Sequence, residues 1–449
     1  MAGPSRRYLL CAVLVLVASA RVLACAGQVS SAGDAGLDAR DAGGDPGSDG
    51  AGDEGASMDG ASDAGDPGGD AAVDGAGDAG GDATGDGAGD AGGDGGGGRA
   101  VPVGHCGERS GLYFPESSWI YTDVSDAPVR ANSGAMTRWL EDQGGWGNGN
   151  HFQIDTSFTI LEAGPGSPRL TPSGDDPIGY SEDCDPDVAV PLPAGGRIEG
   201  CDDYICPGRV EGDPDGDCHL IAVDFEAGVL YEAYQATYTG TRFYSSCTLA
   251  WDMTRDVWGS APGPDLPPVS ERNWGIGRDC TGPDAAGFPI APLLFTVGDV
   301  LSGRVEHAIR FALPNDRMQR APSEGDEGPV YVWPATHAGG PRAIHPDAPI
   351  YGTRWRLKAD FDPAGRGMDA DNPIVIAVVY GLKHYGMLIA DGGSIALMAE
   401  SDAGCSTGWE GLWGEDGSRV LDGIRPTDFD VLESGGCEAG YDCVRNPDR

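Results

Sequence analysis

A run of 72 residues near the start of the chain, Gly27 to Gly98, offers almost no side chain that a folded protein could bury. It is mostly Gly, Ala and Asp, contains no aromatic residue, and has Arg40 as its one basic residue. Because folding such a segment would not offset the backbone entropy lost, the sequence predicts a disordered acidic tether over residues 25–98. The part of the chain that can build a core is therefore residues 99–449.

The residues before the tether have the pattern of a secretion signal. Arg6 and Arg7 precede an apolar run from Tyr8 to Ala20, which is the arrangement found in signal peptides. The 13 residues of that run would cover only about 20 Å as a helix, whereas a bilayer core is about 30 Å thick. We therefore predict a signal peptide over residues 1–24 and not a transmembrane helix.

Two processing sites compete at the end of this leader. Ala18-Ser19-Ala20 fits an ordinary signal peptidase, whereas Val22-Leu23-Ala24-Cys25 resembles a lipobox whose cysteine receives a lipid. A long tether suits a domain that is held away from a membrane, so we favour Cys25 as the lipid anchor of an outer-membrane lipoprotein. A freely secreted protein is the alternative. We expect no contact with a membrane other than through such a lipid anchor.

The acidity of the chain extends beyond the tether. Its net charge of −42 includes −16 in the tether and +3 in the leader, which leaves −29 for residues 99–449. Nucleic-acid binding depends on Lys and Arg side chains that displace counterions from phosphates. The sequence therefore excludes a nucleic acid as partner.

Ten cysteines fall within residues 99–449, and an even number in an exported chain indicates disulfides. The short spacings of Cys201 with Cys206 and of Cys437 with Cys443 suggest local loop staples. The full connectivity stays open, because ten cysteines allow very many pairings.

The periodic segments of residues 99–449 predict one mainly β domain, a sandwich or jelly-roll with one or two packed helices. The strand candidates are His219 to Asp224, Val229 to Gln235, Val305 to Ala312, Val330 to Trp333, Trp355 to Phe361, and Phe429 to Leu432.

Two helices and two hairpins complete this prediction. One helix runs from Ser133 to about Asp142, and a largely apolar one covers residues 373–385 with Asn372 as its cap. The first two strand candidates form one hairpin. The second hairpin places Asp391 at its tip between residues 387–390 and 394–399, where a turn-forming role alone explains the aspartate.

The order of several short motifs resembles a family of exported bacterial proteins with no established activity. The resemblance covers most of residues 112 to 432 and implies export and a single continuous domain. Thr336 and Gly393 stand where an Arg and an Asn are more usual in that family, which puts polar contacts at these turns in doubt. The motifs are Phe114-Pro115 with Trp119 and Asp123, Ile198-Glu199-Gly200, Asp215-Gly216-Asp217-Cys218-His219, Leu230-Tyr231-Glu232, Asp284-Ala285-Ala286-Gly287, Glu306 to Phe311, Trp333-Pro334-Ala335-Thr336-His337, and Tyr385 to Gly392.

The densest set of polar residues, Glu199 to Asp224, is the candidate catalytic region. A carboxyl and an imidazole at strand ends can exchange protons near neutral pH, so Glu199 with Asp217 or His219 is the predicted acid/base pair. His307, in the middle of a strand, is a further catalytic candidate. The competing interpretation is that Glu199 caps a turn and that both histidines are structural hydrogen-bonding groups.

The same region contains two candidate metal sites. Asp213, Asp215 and Asp217 alternate on a turn and could converge on Ca²⁺, although the spacing is not that of an EF-hand. Cys201, Cys206, Cys218 and His219 could hold zinc, but disulfides are the better interpretation outside the cytoplasm. We expect no cofactor, with Ca²⁺ as the alternative.

Substrate-binding candidates are Arg354 and Arg356, which alternate on one strand face, together with Trp333 and His337. Several tryptophans offer flat apolar faces on which sugars stack, although core packing explains most of them.

These features favour an extracytoplasmic glycan hydrolase that acts on a glycan or another cell-surface ligand. A non-catalytic surface binding or adhesion module is the first alternative. A polysaccharide lyase is the second, and it would have to overcome the repulsion between an acidic domain and an anionic polymer.

Overall fold

Alternating apolar residues in the strands build two main sheets that share one core. The computed structural model describes residues 99–173, 184, 188–207, 216–255, 282–320, 329–434 and 438–439, all within one compact unit, Gly98–Arg449. The strands of these residues are β1 Val101–Val103, β2 Arg109–Gly111, β3 Ile154–Phe158, β4 Ile160–Glu162, β5 Arg169–Leu170, β6 Val190–Pro191, β7 Leu220–Asp224, β8 Val229–Tyr234, β9 Thr237–Tyr238, β10 Phe243–Tyr244, β11 Cys247–Asp252, β12 Ile309–Leu313, β13 Tyr331–Val332, β14 Arg354–Leu357, β15 Met387–Gly392, β16 Leu397–Glu400, β17 Phe429–Val431 and β18 Glu438–Ala439.

One main sheet has four strands in the order β11-β8-β7-β4, and the other has six in the order β17-β14-β15-β12-β16-β3. Within the four-stranded sheet, Ile221 and Val223 face the larger core, whereas Leu220 and Ala222 face a smaller one. This is the alternation expected of a strand that is covered on both sides. The larger core also contains side chains of the six-stranded sheet, so the two sheets pack over common apolar residues. The prediction of a mainly β domain with few helices is confirmed.

The α-helices of the described residues are α1 Ser133–Asp142, α2 Val297–Ser302 and α3 Pro373–His384. Single-turn or short 3-10 helices cover His105–Gly107, Trp119–Tyr121, Ala291–Leu293, Asn315–Arg317, Ala364–Arg366, Trp409–Gly411, Gly414–Arg419 and Pro426–Asp428.

Helix α3 forms as its sequence predicts. The Asn372 side chain accepts hydrogen bonds from the N–H groups of Ile374 and Val375 at the first turn. The helix ends before Gly386, whose φ of +65° suits glycine. A Cβ there would lie 2.6 Å from the Trp355 carbonyl oxygen, so the chain can turn tightly from α3 into β15.

One hairpin prediction is confirmed and the other is wrong. Strands β7 and β8 pair in antiparallel register, with Asp224 opposite Val229. Strands β15 and β16, however, do not pair with each other, because β12 lies between them. Asp391 therefore lies in β15, beside Ala312 of β12, and is not at a hairpin tip.

Among the described residues, two disulfides connect distant parts of the chain and a third, Cys206–Cys218, closes a loop with a sequence separation of 12. Cys106 pairs with Cys405, Cys184 with Cys247, and Cys206 with Cys218. Cys201 is a free thiol, so the predicted Cys201–Cys206 staple is wrong. The predicted Cys437–Cys443 staple lies outside the described residues.

The disulfides among the described residues indicate an oxidising, extracytoplasmic environment. In the same part of the chain, no helix combines the length and the apolar character needed to cross a bilayer.

Candidate functional site

Glu199 and His219 form a tight pair where the start of β7 meets the end of β3. The Glu199 N–H donates to the His219 carbonyl oxygen at 2.9 Å, and the Gly200 N–H donates to the Ser157 carbonyl at 3.1 Å. These bonds hold the Glu199 loop between the two strands. Gly200 has a φ of +64°, which lets the chain turn directly after the glutamate.

The side chains of the pair are joined by a short hydrogen bond. His219 Nδ1 lies 2.6 Å from Glu199 Oε2, and the His219 N–H donates to the same oxygen at 3.1 Å. On the other side of the ring, Nε2 donates to the Pro283 carbonyl oxygen at 2.9 Å. Since a carbonyl only accepts, and since Glu199 Oε2 accepts from Nδ1, this environment suits a doubly protonated imidazolium.

Burial and neighbouring charges shift the pKa values of Glu199 and His219 in opposite directions. Burial lowers the pKa of His219, but the charge and hydrogen bond of Glu199, with smaller contributions from the charges of Asp217 and Asp391, outweigh burial and raise that pKa to about 9. Burial likewise raises the pKa of Glu199, but the charge and hydrogen bonds of His219 and the charge of Arg310 together outweigh burial, so the Glu199 pKa is lowered overall. Both groups are therefore ionised at neutral pH.

A buried arginine provides a second centre of charge beside this pair. Arg310 of β12 is fully buried, and its Nη2 donates to Asp284 Oδ1 at 2.6 Å and to Asp391 Oδ2 at 3.1 Å. Its guanidinium carbon lies 4.9 Å from the centre of the Phe158 ring, a cation–π distance. The Arg310 charge also lowers the pKa of Glu199, which places the arginine within electrostatic reach of the pair.

The two aspartates on Arg310 have different surroundings. Asp284 is fully buried, and its Oδ2 accepts hydrogen bonds from the N–H groups of Ala286 and Phe288, both at 3.0 Å. The Asp391 side chain is 23% exposed. Burial, with a contribution from the Asp284 charge, raises the pKa of Asp391 to about 6, although Arg310 and His219 act to lower it.

These contacts and electrostatic interactions define one set of groups, which we call the ionic cluster: Glu199, His219, Asp284, Arg310 and Asp391. It contains a carboxyl group with a lowered pKa and a partly accessible one with a raised pKa. When the pKa values of two carboxyl groups are separated in this way, one can act as a base and the other as an acid.

The predicted catalytic residues are only partly brought together. Glu199 and His219 pair as expected. Asp217 is exposed, and its charge helps to raise the pKa of His219, so it lies at the edge of the ionic cluster. His307 instead contacts the Ala308 carbonyl through Nδ1 at 2.8 Å, and its Nε2 lies 3.8 Å from Asp299 of α2. These contacts are those of a structural hydrogen-bonding group, the competing interpretation considered from the sequence, and a catalytic role for His307 stays a prediction.

His337, a predicted substrate-binding residue, contacts the loop that carries Asp284. His337 Nδ1 donates to the Ala285 carbonyl at 2.9 Å, and the Thr336 N–H donates to the Ala286 carbonyl at 3.0 Å. Trp333 is half-buried, and within the described part of the chain its indole Nε1 has no hydrogen-bond partner. This loop therefore connects the Trp333–His337 segment to the ionic cluster.

Arg354 and Arg356, predicted from the sequence to bind substrate, fasten the chain segment 119–127 to β14. Arg354 donates to the carbonyl groups of Trp119 and Tyr385, at 3.0 and 2.8 Å. Arg356 Nη1 donates to the carbonyl of Val124 at 2.8 Å and to two further carbonyls of the segment. Both guanidinium groups thus make hydrogen bonds within the fold, and substrate binding by these two arginines stays a prediction.

The predicted metal sites have different outcomes. For the cysteines beside His219, the preferred disulfide interpretation is confirmed for Cys206 and Cys218, which form a disulfide and supply no thiolate to a zinc ion. For the calcium prediction, Asp213 and Asp215 lie outside the described residues.

Two shallow grooves on the described surface are lined by residues that do not belong to the ionic cluster. The larger, of about 450 Å³, is lined by residues of α1 and β17 together with Arg130 and Lys358. The smaller, of about 300 Å³, shares Lys358 and Thr427 with it.

Asp284, Arg310 and Asp391 are site residues that were not predicted from the sequence. Arg310 carried a usable signal, since it is a charged residue within the apolar strand sequence Ile309–Leu313, and a buried charge requires a partner. All three residues also fall within motifs on which the family resemblance rests. That resemblance stays a prediction. Comparisons of the chain with protein-family models, curated proteins and solved structures found no match.

Proposed function

We propose that the domain is an extracytoplasmic carbohydrate-active enzyme, a glycan hydrolase, with the ionic cluster as its chemical centre. The observation that carries this proposal is the separation of two carboxyl pKa values within one cluster. Glu199 has a lowered pKa, and the partly exposed Asp391 has a pKa of about 6. Hydrolysis of a glycosidic bond needs this combination, a protonated carboxyl for the leaving oxygen and an ionised carboxylate for the sugar or water.

The proposed roles follow from the contacts of each group. Asp391 is the proton donor, because it is partly accessible and its pKa is raised. Glu199 is the carboxylate that acts as base or stabilises the developing positive charge. His219 orients Glu199 through the 2.6 Å contact, and Arg310 holds Asp391 at 3.1 Å. Asp391 thus replaces Asp217, which is exposed, in the carboxyl pair expected from the sequence.

The delivery of this domain is part of the same proposal. We infer that residues 1–24 are removed as a signal peptide and that Cys25 carries a lipid, which makes the protein an outer-membrane lipoprotein. Disulfides in the domain agree with export. The partner would then be a glycan or another ligand at the cell surface.

A non-catalytic binding module is the second candidate, and one observation favours it. The larger groove of about 450 Å³ lies at α1 and β17 and not at the ionic cluster. A binding module would use such a shallow groove for its ligand, and the ionic cluster would then only stabilise the fold.

The full chain should be incubated with a glycan panel, with and without Ca²⁺, while reducing ends and unsaturated products are measured in parallel. Release of reducing ends without unsaturation supports the hydrolase, and unsaturated ends would support the lyase instead. Binding of a glycan without any product would contradict the enzyme proposal and favour the binding module.

A further inference from the structure

The larger surface groove, of about 450 Å³ at α1 and β17, has a charge balance opposite to that of the chain. The whole chain has 71 acidic residues against 29 Lys and Arg residues. Three basic side chains line the groove, those of Arg130, Arg138 and Lys358. One acidic side chain, that of Asp430, lines it with them. A local excess of positive charge in so acidic a protein favours the binding of an anion at this place.

The acidic side chain of the groove is already paired within the fold. Asp430 Oδ2 accepts a hydrogen bond from Nη2 of Arg356 at 3.3 Å. Arg356 does not itself line the groove. The negative charge of Asp430 is therefore balanced from outside the groove, and the three basic side chains determine the charge that a ligand meets.

Two of these basic side chains keep donors for a ligand. Arg138 is exposed, and its Nη1 lies over the first turn of α1, 3.2 Å from the position of a Cβ on Gly134. In the part of the chain that the structure describes, Arg138 forms no ion pair with a carboxylate. Lys358 Nζ donates to the Thr427 carbonyl at 2.6 Å, which uses one of its three N–H donors.

A buried hydroxyl in the same groove is an independent sign of a ligand. Thr137 of α1 lines the groove although its residue is only 3% exposed, and over the described ranges its hydroxyl has no hydrogen-bond partner. Buried polar groups are normally hydrogen-bonded, and leaving one unpaired costs free energy. An oxygen atom of a ligand in the groove would satisfy the Thr137 hydroxyl.

We propose that this groove binds an acidic sugar unit of a glycan, with the sugar carboxylate held by Arg138 and Lys358 and with Thr137 as a neutral donor. One guanidinium fork, one ammonium group and one hydroxyl match the two oxygens of a carboxylate, each of which accepts more than one hydrogen bond. The choice of a sugar as the carrier rests on the proposed function, whereas the preference for an anion rests on the groove alone.

The size and the surface of the groove agree with such a ligand. A volume of about 450 Å³ lies within the range of about 300–1,000 Å³ that is usual for small-molecule sites. Val129, which is 42% exposed, also lines the groove and offers an apolar contact for a sugar ring. The groove would thus hold a glycan at a place separate from the ionic cluster.

The test is calorimetric titration of the full chain with a short uronic-acid oligosaccharide, and with sulfated and neutral oligosaccharides of the same length. The buffer contains 0.15 M salt, because a Debye length of about 8 Å screens the distant acidic residues. We expect the uronate to bind at one site per chain, at least about tenfold more tightly than either of the other two. Arg138→Gln and Lys358→Gln should each weaken this binding about tenfold or more, since each removes a charge-assisted hydrogen bond. Thr137→Val, which keeps the shape of the side chain, should weaken it a few-fold.

A matched control separates this site from the general effect of charge. Arg419→Gln removes one positive charge from an exposed position that lines neither groove, and it should bind the uronate as the parent does. Circular dichroism establishes that each variant is folded. The proposal is overturned if the uronate does not bind, if the neutral or the sulfated oligosaccharide binds as tightly, or if both Arg138→Gln and Lys358→Gln keep the affinity of the parent. Binding is measured without turnover, so uronate binding by a chain that cleaves no glycan would support the groove while the hydrolase proposal fails.

Discussion

The aspartate on β15 is the residue whose ionisation the proposed chemistry depends on most. Asp391 must be protonated to donate to a leaving group, and its pKa is about 6. We therefore expect kcat/KM to fall as the pH rises through about 6, because the acid form is lost. The measurement is a pH–rate profile on whichever glycan is cleaved, with Asp391→Asn expected to remove this limb together with most of the activity. A profile that is flat between pH 5 and 8 would contradict the role of Asp391.

The contribution of Glu199 to stability can be measured without a substrate. Replacement by Gln leaves the His219 ring buried without its ionised partner, and breaking a buried pair costs about 3 kcal/mol or more. Glu199→Gln should therefore lower the free energy of unfolding at pH 7 and return the pKa of His219 from about 9 towards lower values. Denaturant unfolding and imidazole NMR titration measure the two effects. The exposed Asp217→Asn is the matched control, for which we expect little change in stability.

The sequence pattern predicted the Glu199–His219 pair, but it did not predict the other residues of the ionic cluster. These two residues lie 20 positions apart and their loop connects directly to β7. Asp391 lies 81 residues from Arg310 and Asp284 lies 26 from it, and a single sequence contains no information on which distant carboxyl groups meet a buried arginine.

At the level of single elements, helix α3 provides the most direct test of whether residues in the local sequence stabilise the element that they predict. Its Asn372 cap accepts two backbone hydrogen bonds, and the amide nitrogen donates to the Leu412 carbonyl at 3.0 Å. Asn372→Ala should cost about 1 kcal/mol of stability, a typical value for the loss of a cap. Asn372→Asp keeps the acceptor and should be less destabilising. Equal losses in the two variants, measured by denaturant unfolding, would show that the cap itself contributes nothing.

Elements defined by neighbouring residues could be predicted, and elements defined by distant pairing could not. Helix α3 and the β7–β8 hairpin depend on a cap, a glycine and a short turn, all visible in the local sequence. The failed hairpin had a suitable turn as well, but β12, which lies far earlier in the chain, inserts between its two arms. Helix α2 has six residues, too few for an apolar period to show.

For the whole molecule, the direction of the buried pKa shifts predicts how stability depends on pH. Glu232 and Glu400 have pKa values of about 7 in the fold against 4.5 as unperturbed groups, and His219 has about 9 against 6.5. The native state therefore binds more protons than the unfolded chain. The stabilising contribution is complete at low pH, and it is lost from about pH 4.5 to 7 for the glutamates and from about 6.5 to 9 for His219.

We accordingly expect the free energy of unfolding to decrease from pH 5 to pH 9, measured with the disulfides intact. The net charge of −42 adds repulsion in the same direction, but 1 M salt shortens the Debye length to about 3 Å and screens surface charges. The buried groups are shielded from salt, so a decrease should persist at 1 M salt. A stability that rises over this range would contradict the assigned shifts.

The proposal as a whole depends on whether the ionic cluster performs hydrolysis. The most direct measurement is the release of reducing ends from the best glycan of the panel by the parent chain, Asp391→Asn, Glu199→Gln and Asp217→Asn, each confirmed as folded. We predict that the Asp391 and Glu199 variants lose at least about a hundredfold in kcat/KM, as expected for removal of a general acid or base, while Asp217→Asn stays within a few-fold of the parent. Full activity in the Asp391 and Glu199 variants, or an Asp217 variant that alone is inactive, would contradict the assignment.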